Sequence, residues 1–230
     1  MGKRIFTIPR PSAVVFFVCP FATPIWAVRL VIWRLQQAGY SVVAYDTPAS
    51  IFLAGNPNLL GPTIDAIKHD IQSEIRRFKS VGMSTFGFYG TSLGSFILYN
   101  VLSAIPELRW GVFNTGGNLA QSVWRLAKAR KAFMAQHISL NDLEQSWHEF
   151  QYCPFPDLTG GQYAFMSSPG DRIAPLADIK PYLVPIRQAG ADIGIIQIGG
   201  RSHLQAAIIG LWRAAKFIAM VRAGEVGERV

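Results

Sequence analysis

Cysteine, histidine and charge are the scarce ingredients of this 230-residue chain. Its two cysteines, Cys19 and Cys153, cannot make a disulfide framework in a chain this long. Both read as free thiols, which favours a reducing, cytoplasmic compartment. Neither stands at metal-ligand spacing from another Cys or His, and His69, His137 and His148 lie apart from one another. No metal and no other cofactor is therefore expected. Charged residues make up only 16% of the chain, against 50% apolar and 12% aromatic, which excludes intrinsic disorder. Gly and Pro recur without period and no heptad persists, which removes collagen-like and coiled-coil classes. No linker, repeat or low-complexity stretch divides the sequence, so residues 1–230 are expected to form one domain. A chain of this size buries roughly 70–75% of its unfolded surface, enough for a large core.

The little charge present is unbalanced: 22 Lys and Arg against 14 Asp and Glu give +8. Arg125, Lys128, Arg130 and Lys131 concentrate it on one segment, and Arg213, Lys216 and Arg222 on another. Basic helices can rest on anionic membranes, although a charge run is more often a solvated face. No nucleic-acid motif accompanies the charge, so no nucleic-acid partner is expected. Lys3, Arg4 and Arg10 before the apolar run from Ala13 to Cys19 imitate a signal peptide. Pro20 and Pro24 interrupt that run, and it is too short to span a membrane.

What fills the chain is alternation. Ala13 to Val18 is a wholly apolar, β-branched and aromatic run, the pattern of a strand buried on both faces. Further strands are expected at Ser41–Tyr45, Thr85–Tyr89, Trp110–Asn114, Gln162–Ser167 and Ile193–Ile198, with another around Ile5 to Ile8. Helical patterning separates them: Pro24–Ala38, Thr63–Ser80, Leu93–Ile105, an irregular helix with Pro175, Pro181 and Pro185, and one long helix from Leu204 to Val221. The fold expected is α/β, a mostly parallel sheet of about six strands flanked by helices. Gly116 to Gly161 reads as a helical insertion between the fourth and fifth core strands.

Between the third core strand and its helix stands Gly90-Thr91-Ser92-Leu93-Gly94, a G-x-S-x-G pattern. A tight strand-to-helix turn of this kind presents the serine hydroxyl above the sheet, and small neighbours let the chain pass. A serine needs a base, and the base an orienting acid. In open parallel sheets such groups gather beyond the carboxyl ends of strands. Asp171 follows the strand ending at Ser167, and His203 follows the one ending at Ile198. Asp192 precedes its strand and Asp178 lies within a helical segment. His69, His137 and His148 fall on helical or inserted segments, where surface or packing roles suit them better.

With Ser92, Asp171 and His203 in that chain order, the sequence resembles the α/β-hydrolase superfamily over about Ala13 to Val221. The resemblance implies an acyl-serine intermediate, hydrolysed by water that His203 activates. It implies that residues 116–161 are a cap over the pocket and that Asp46 holds a loop. It places one oxyanion donor at the Leu93 amide. The second would come from the loop Cys19-Pro20-Phe21-Ala22-Thr23-Pro24, where Pro20 has no N–H, leaving Phe21 or, alternatively, Ala22.

The substrate expected is a small or medium acyl ester or thioester, with Trp124, Phe133, Met134, Trp147 and Phe150 either lining its pocket or packing the inserted helices. Two alternatives stand beside ester hydrolysis: an acyltransferase with the same three residues, or a non-catalytic binding protein on the same fold.

Overall fold

Strand β2 (Ala13–Val18) is completely buried because no residue in AVVFFV needs water on either face. Its residues split by parity between two cores. Val14, Phe16 and Val18 join one side of the sheet, and Ala13, Val15 and Phe17 the other. The structure, a computed structural model, describes residues 2–225. Around β2 lie β1 (Lys3–Phe6), β3 (Tyr40–Tyr45), β4 (Phe86–Thr91), β5 (Leu108–Asn114), β6 (Gln162–Ser167) and β7 (Asp192–Gln197).

The sheet order is β1-β3-β2-β4-β5-β6-β7. All pairs are parallel except β1 with β3, which is antiparallel. The sheet therefore has seven strands, the additional one being the edge strand near Ile5. The chain steps from β2 to one side and then returns to the other side with β4. That reversal opens a crevice beyond the carboxyl ends of β2 and β4, where open α/β sheets bind ligands.

Strands β4 and β5 interlock through glycine. In register, Gly87 pairs with Trp110 and Phe88 with Gly111. A Cβ on Gly87 would lie 2.1 Å from the Trp110 ring, and one on Gly111 would lie 2.1 Å from the Phe88 ring. Each glycine is the seat of the neighbouring strand's aromatic ring.

The helices are α1 (Arg29–Gln37), α2 (Ser50–Leu53), α3 (Leu60–Ser80), α4 (Leu93–Leu102), α5 (Leu119–Arg125), α6 (Ala127–Ala135), α7 (Leu140–Ser146), α8 (His148–Gln151), α9 (Leu176–Gln188), α10 (His203–Trp212) and α11 (Ala214–Arg222). Helix α3 starts earlier than its proline suggests, because Pro62 sits in the first turn, where a missing N–H costs nothing. Helix α9 runs on through Pro181 and Pro185, held by its buried face of Ile179, Tyr182, Leu183 and Ile186. The helix ahead of β3 divides into a 3-10 segment, Ile25–Val28, and α1.

The expected single helix at the C-terminal end is instead two helices, α10 and α11, meeting at a bend of 68°. Arg213 leaves helical geometry (φ −103°, ψ 11°), and its N–H is shared between the carbonyls of Ile209 and Gly210. Apolar spacing continues through the break, so periodicity alone could not locate it. Among the described residues, no single helix is long and apolar enough to cross a membrane.

Candidate active site

Ser92 sits at the junction of β4 and α4 with φ 54° and ψ −117°, outside the regions that a side chain ordinarily tolerates. Such a conformation costs on the order of 1–3 kcal/mol and persists only where its surroundings enforce it. Three enforcements are visible. The Ser92 N–H donates to the Asn114 carbonyl at 2.8 Å. A Cβ on Gly94 would lie 2.2 Å from the Val18 carbonyl oxygen, and one on Gly90 would lie 2.5 Å from that of Gly94. The glycines are thus required by backbone passing backbone, where no side chain can yield.

The structure brings the three sequence-selected residues together. His203 Nε2 lies 3.0 Å from Ser92 Oγ, and His203 Nδ1 lies 2.8 Å from Asp171 Oδ2. Asp171 stands in the loop after β6 and is 3% exposed. Its other oxygen, Oδ1, accepts the N–H groups of Ile173 and Ala174, each at 2.9 Å. Burial alone would raise its pKa, but the His203 hydrogen bond and those two amides outweigh it and hold the carboxyl below its usual value. His203 is the first residue of α10, whose start is capped by the Ser202 hydroxyl accepting from Gln205 N–H.

The rivals stay away. His69, His137 and His148 are exposed, Asp192 begins β7 at the opposite end of the sheet, and Asp178 is ion-paired with Arg125. Asp46 accepts the N–H of Gly2. Cys19 is buried, and burial pushes its thiol up to about 12, so it stays protonated at neutral pH.

Leu93 begins α4, and the loop after β2 closes as a turn, with Thr23 N–H donating to the Pro20 carbonyl at 3.1 Å. Thr47 Oγ1 donates to the same carbonyl at 2.8 Å. Ala22 takes φ 54° in that turn. Among the described residues, the amides of Phe21, Ala22 and Leu93 have no protein acceptor. Phe21 and Leu93 line the cleft that contains Ser92 and His203; Ala22 is not part of its wall.

That cleft is narrow, about 20 Å³, and its walls are mainly apolar: Phe52, Phe96, Leu119, Val123, Leu126 and Ile173. The inserted segment contributes Gly116, Gly117, Leu119, Ser122, Val123 and Leu126, ahead of, on and after α5. Of the aromatics singled out in the sequence, Phe133 and Trp147 are buried packing residues, and the Trp147 N–H donates to the Pro57 carbonyl at 3.0 Å. Met134 points to solvent, and neither Trp124 nor Phe150 lines the cleft. Arg125 is structural as well as basic: it pairs with Asp178 and donates to the Ile173 carbonyl at 2.9 Å, in the loop that carries Asp171. Among the described residues, no group of three or more His, Cys, Asp or Glu could hold a metal ion.

Sequence reasoning missed Asn114. It ends β5 fully buried, with Nδ2 donating to Thr91 Oγ1 at 3.2 Å and to the Ala207 carbonyl at 3.1 Å. One signal was present, a polar residue closing the apolar run Trp110–Phe113 at the ligand-binding end of the sheet.

A central mostly parallel sheet, helices on both faces and a serine at a strained strand-to-helix turn define the α/β-hydrolase fold, and this chain has it. No family model matches the chain, and no curated protein matches its sequence. Solved structures do. The Pyrococcus furiosus esterase Pf2001 is 15% identical, with a TM-score of 0.57 over 92% of this chain and 84% of that one. A monoacylglycerol lipase from Paleococcus ferrophilus is 14% identical, with a TM-score of 0.58 over 94% of this chain and 97% of that one. The Pyrococcus horikoshii acylaminoacyl peptidase is 14% identical, with a TM-score of 0.67 over 99% of this chain but 40% of that one.

Proposed function

We propose that this chain is a serine hydrolase that cleaves carboxylic esters or thioesters through an acyl-serine intermediate. The observation that carries the proposal is the unbroken relay from Asp171 through His203 to Ser92, at 2.8 and 3.0 Å. The esterase and lipase among its structural neighbours support the same chemistry.

In this mechanism His203 Nε2 takes the proton from Ser92 Oγ as the oxygen bonds to the substrate carbonyl carbon. The carbonyl π pair moves onto its oxygen, and the amides of Leu93 and Phe21 stabilise that charge. Asp171 fixes the tautomer with the proton on Nδ1 and stabilises the imidazolium once it forms. The tetrahedral intermediate collapses, the bond to the alcohol or thiol breaks, and His203 returns its proton to the leaving group. Water then repeats the sequence on the acyl-serine, releasing a carboxylic acid and restoring Ser92. Transfer to an alcohol in place of water uses the same steps. Residues 116–161 serve as a cap, and α5 lines the apolar cleft in which the acyl chain, expected to be small or medium, would lie.

A fluorophosphonate probe tests the reading directly. Ser92 is expected to label in the wild type, and Ser92→Ala to abolish labelling and turnover of p-nitrophenyl esters while the fold is retained. Absence of labelling in the folded wild type would leave a non-catalytic binding protein as the better account. Esters and thioesters of graded chain length then define the substrate.

A further inference from the structure

Helices α1 and α10 carry two apolar faces each. The inner faces bury Val31, Ile32 and Leu35 from α1, and Ala206 from α10, against the same side of the sheet. The outer faces are apolar too. Trp26 in the 3-10 segment and Leu30 and Trp33 on α1 are 71%, 51% and 52% exposed. On α10, Leu204, Ile208 and Trp212 are 68%, 53% and 52% exposed. Spacings of three to four residues make each set a stripe along its helix, where a helix covering a sheet ordinarily presents polar residues. The two helices touch at Trp212: the Arg34 guanidinium of α1 lies 3.3 Å from the centre of that ring and donates to the Trp212 carbonyl at 3.0 Å.

The charges around this face have one sign. Residues 1–45 contain no Asp or Glu, and neither do residues 193–224. Arg29, Arg201, Arg213 and Lys216 on these segments are all exposed. A second copy of the chain would bring the same positive rim against itself in a two-fold contact. An anionic lipid surface matches both features, because apolar side chains enter the acyl boundary while Arg and Lys reach the headgroups. Tryptophan suits that depth, and three of the chain's six tryptophans stand on this face.

We propose that the outer face of α1 and α10 docks the protein flat on an anionic lipid bilayer. His203, which lines the cleft, immediately precedes Leu204, so the stripe on α10 begins one residue after the site. The docking itself does not depend on the hydrolase reading.

Vesicle flotation tests it. The full chain is expected to float with phosphatidylcholine vesicles containing phosphatidylglycerol, not with phosphatidylcholine alone, and to be released by high salt. Tryptophan emission should shift to the blue on binding. The double variant Trp26→Ser/Trp33→Ser and the charge reversal Arg29→Glu/Arg213→Glu alter exposed positions, and each should weaken vesicle partitioning by about tenfold or more. Circular dichroism and turnover of a soluble ester control for folding. Three results would overturn the proposal: no flotation with anionic vesicles at low salt, undiminished flotation of both variants, or a wild-type dimer that the variants dissociate.

Discussion

The carbonyl oxygen of Asn114 accepts the N–H of Ser92 at 2.8 Å, and the hydroxyls of Ser95 and Thr115 converge on the same oxygen at 2.9 and 2.7 Å. The Asn114 side chain meanwhile holds Thr91, just before the serine, and Ala207 in α10. One residue therefore ties the strained turn to the helix that begins with His203.

Asn114→Ala should act as loss of a positioning residue. Removing the amide deprives the buried Thr91 hydroxyl of its donor and the Ala207 carbonyl of its second one, and leaves a void, at a cost of about 1–3 kcal/mol in thermal or denaturant unfolding. On a p-nitrophenyl ester, kcat is expected to fall while KM changes little, because the side chain touches the geometry of catalysis and not the cleft wall.

Asp171→Asn keeps the shape of the side chain but removes the charge that fixes the His203 tautomer. Turnover should drop roughly 10³–10⁴-fold, and His203→Ala by a comparable factor, since residues that act as a unit are not additive. The double variant, assayed in the same way, is expected to be little worse than either single one.

The depressed pKa of Asp171 also predicts an acid limb of stability. The unfolded chain binds a proton at the ordinary value near 3.8, the folded chain only below it. The stabilisation is therefore complete above that value and disappears as pH falls through the folded pKa. From about pH 5 downward, the melting temperature of the wild type should fall more steeply than that of Asp171→Asn.

Gly94→Ala and Gly90→Ala should be severe although each adds one methyl group. The contact in each case is with backbone, at 2.2 and 2.5 Å, which cannot rotate away. Expected losses are about 1–3 kcal/mol or more, or failure to fold, measured by denaturant midpoint. Gly82→Ala is the contrasting control: no atom approaches its Cβ, and only its positive φ of 87° is strained.

Cys19 should resist alkylation. With its thiol raised to about 12 by burial, it should react with a thiol reagent at neutral pH only after denaturation.

Much of the fold could be read from the sequence because the interior strands are buried on both faces. Ala13–Val18 is an unbroken apolar run and Gln162–Ser167 is apolar from Tyr163 to Met166, and both strands lie where expected. The positions of Asp171 and His203 followed from a single rule, that side chains gather past the carboxyl ends of parallel strands. Other features depended on partners that a linear pattern does not display. The division of the last helix rests on Arg213 geometry and on Gly210 pressed against Asn114, where a Cβ would lie 2.2 Å from the amide oxygen. The role of Asn114 exists only once β4, β5 and α10 are assembled. Aromatics in the insertion looked equally suited to lining and to packing, and only the three-dimensional neighbours of Phe133 and Trp147 separated the two.

The seating of Trp110 on Gly87 and of Phe88 on Gly111 reaches further than packing. A slip of one residue would set ring against ring, Phe86 on Trp110 in one direction and Phe88 on Trp110 in the other, so the seats favour the register observed from Gly87 onward. Further along that alignment, Thr91 stands beside Asn114, and the next residue is Ser92. The two glycine–aromatic seats therefore act as a vernier for the chemistry. They index where the nucleophile ends up relative to its anchor from deep within the sheet, at positions that no substrate touches.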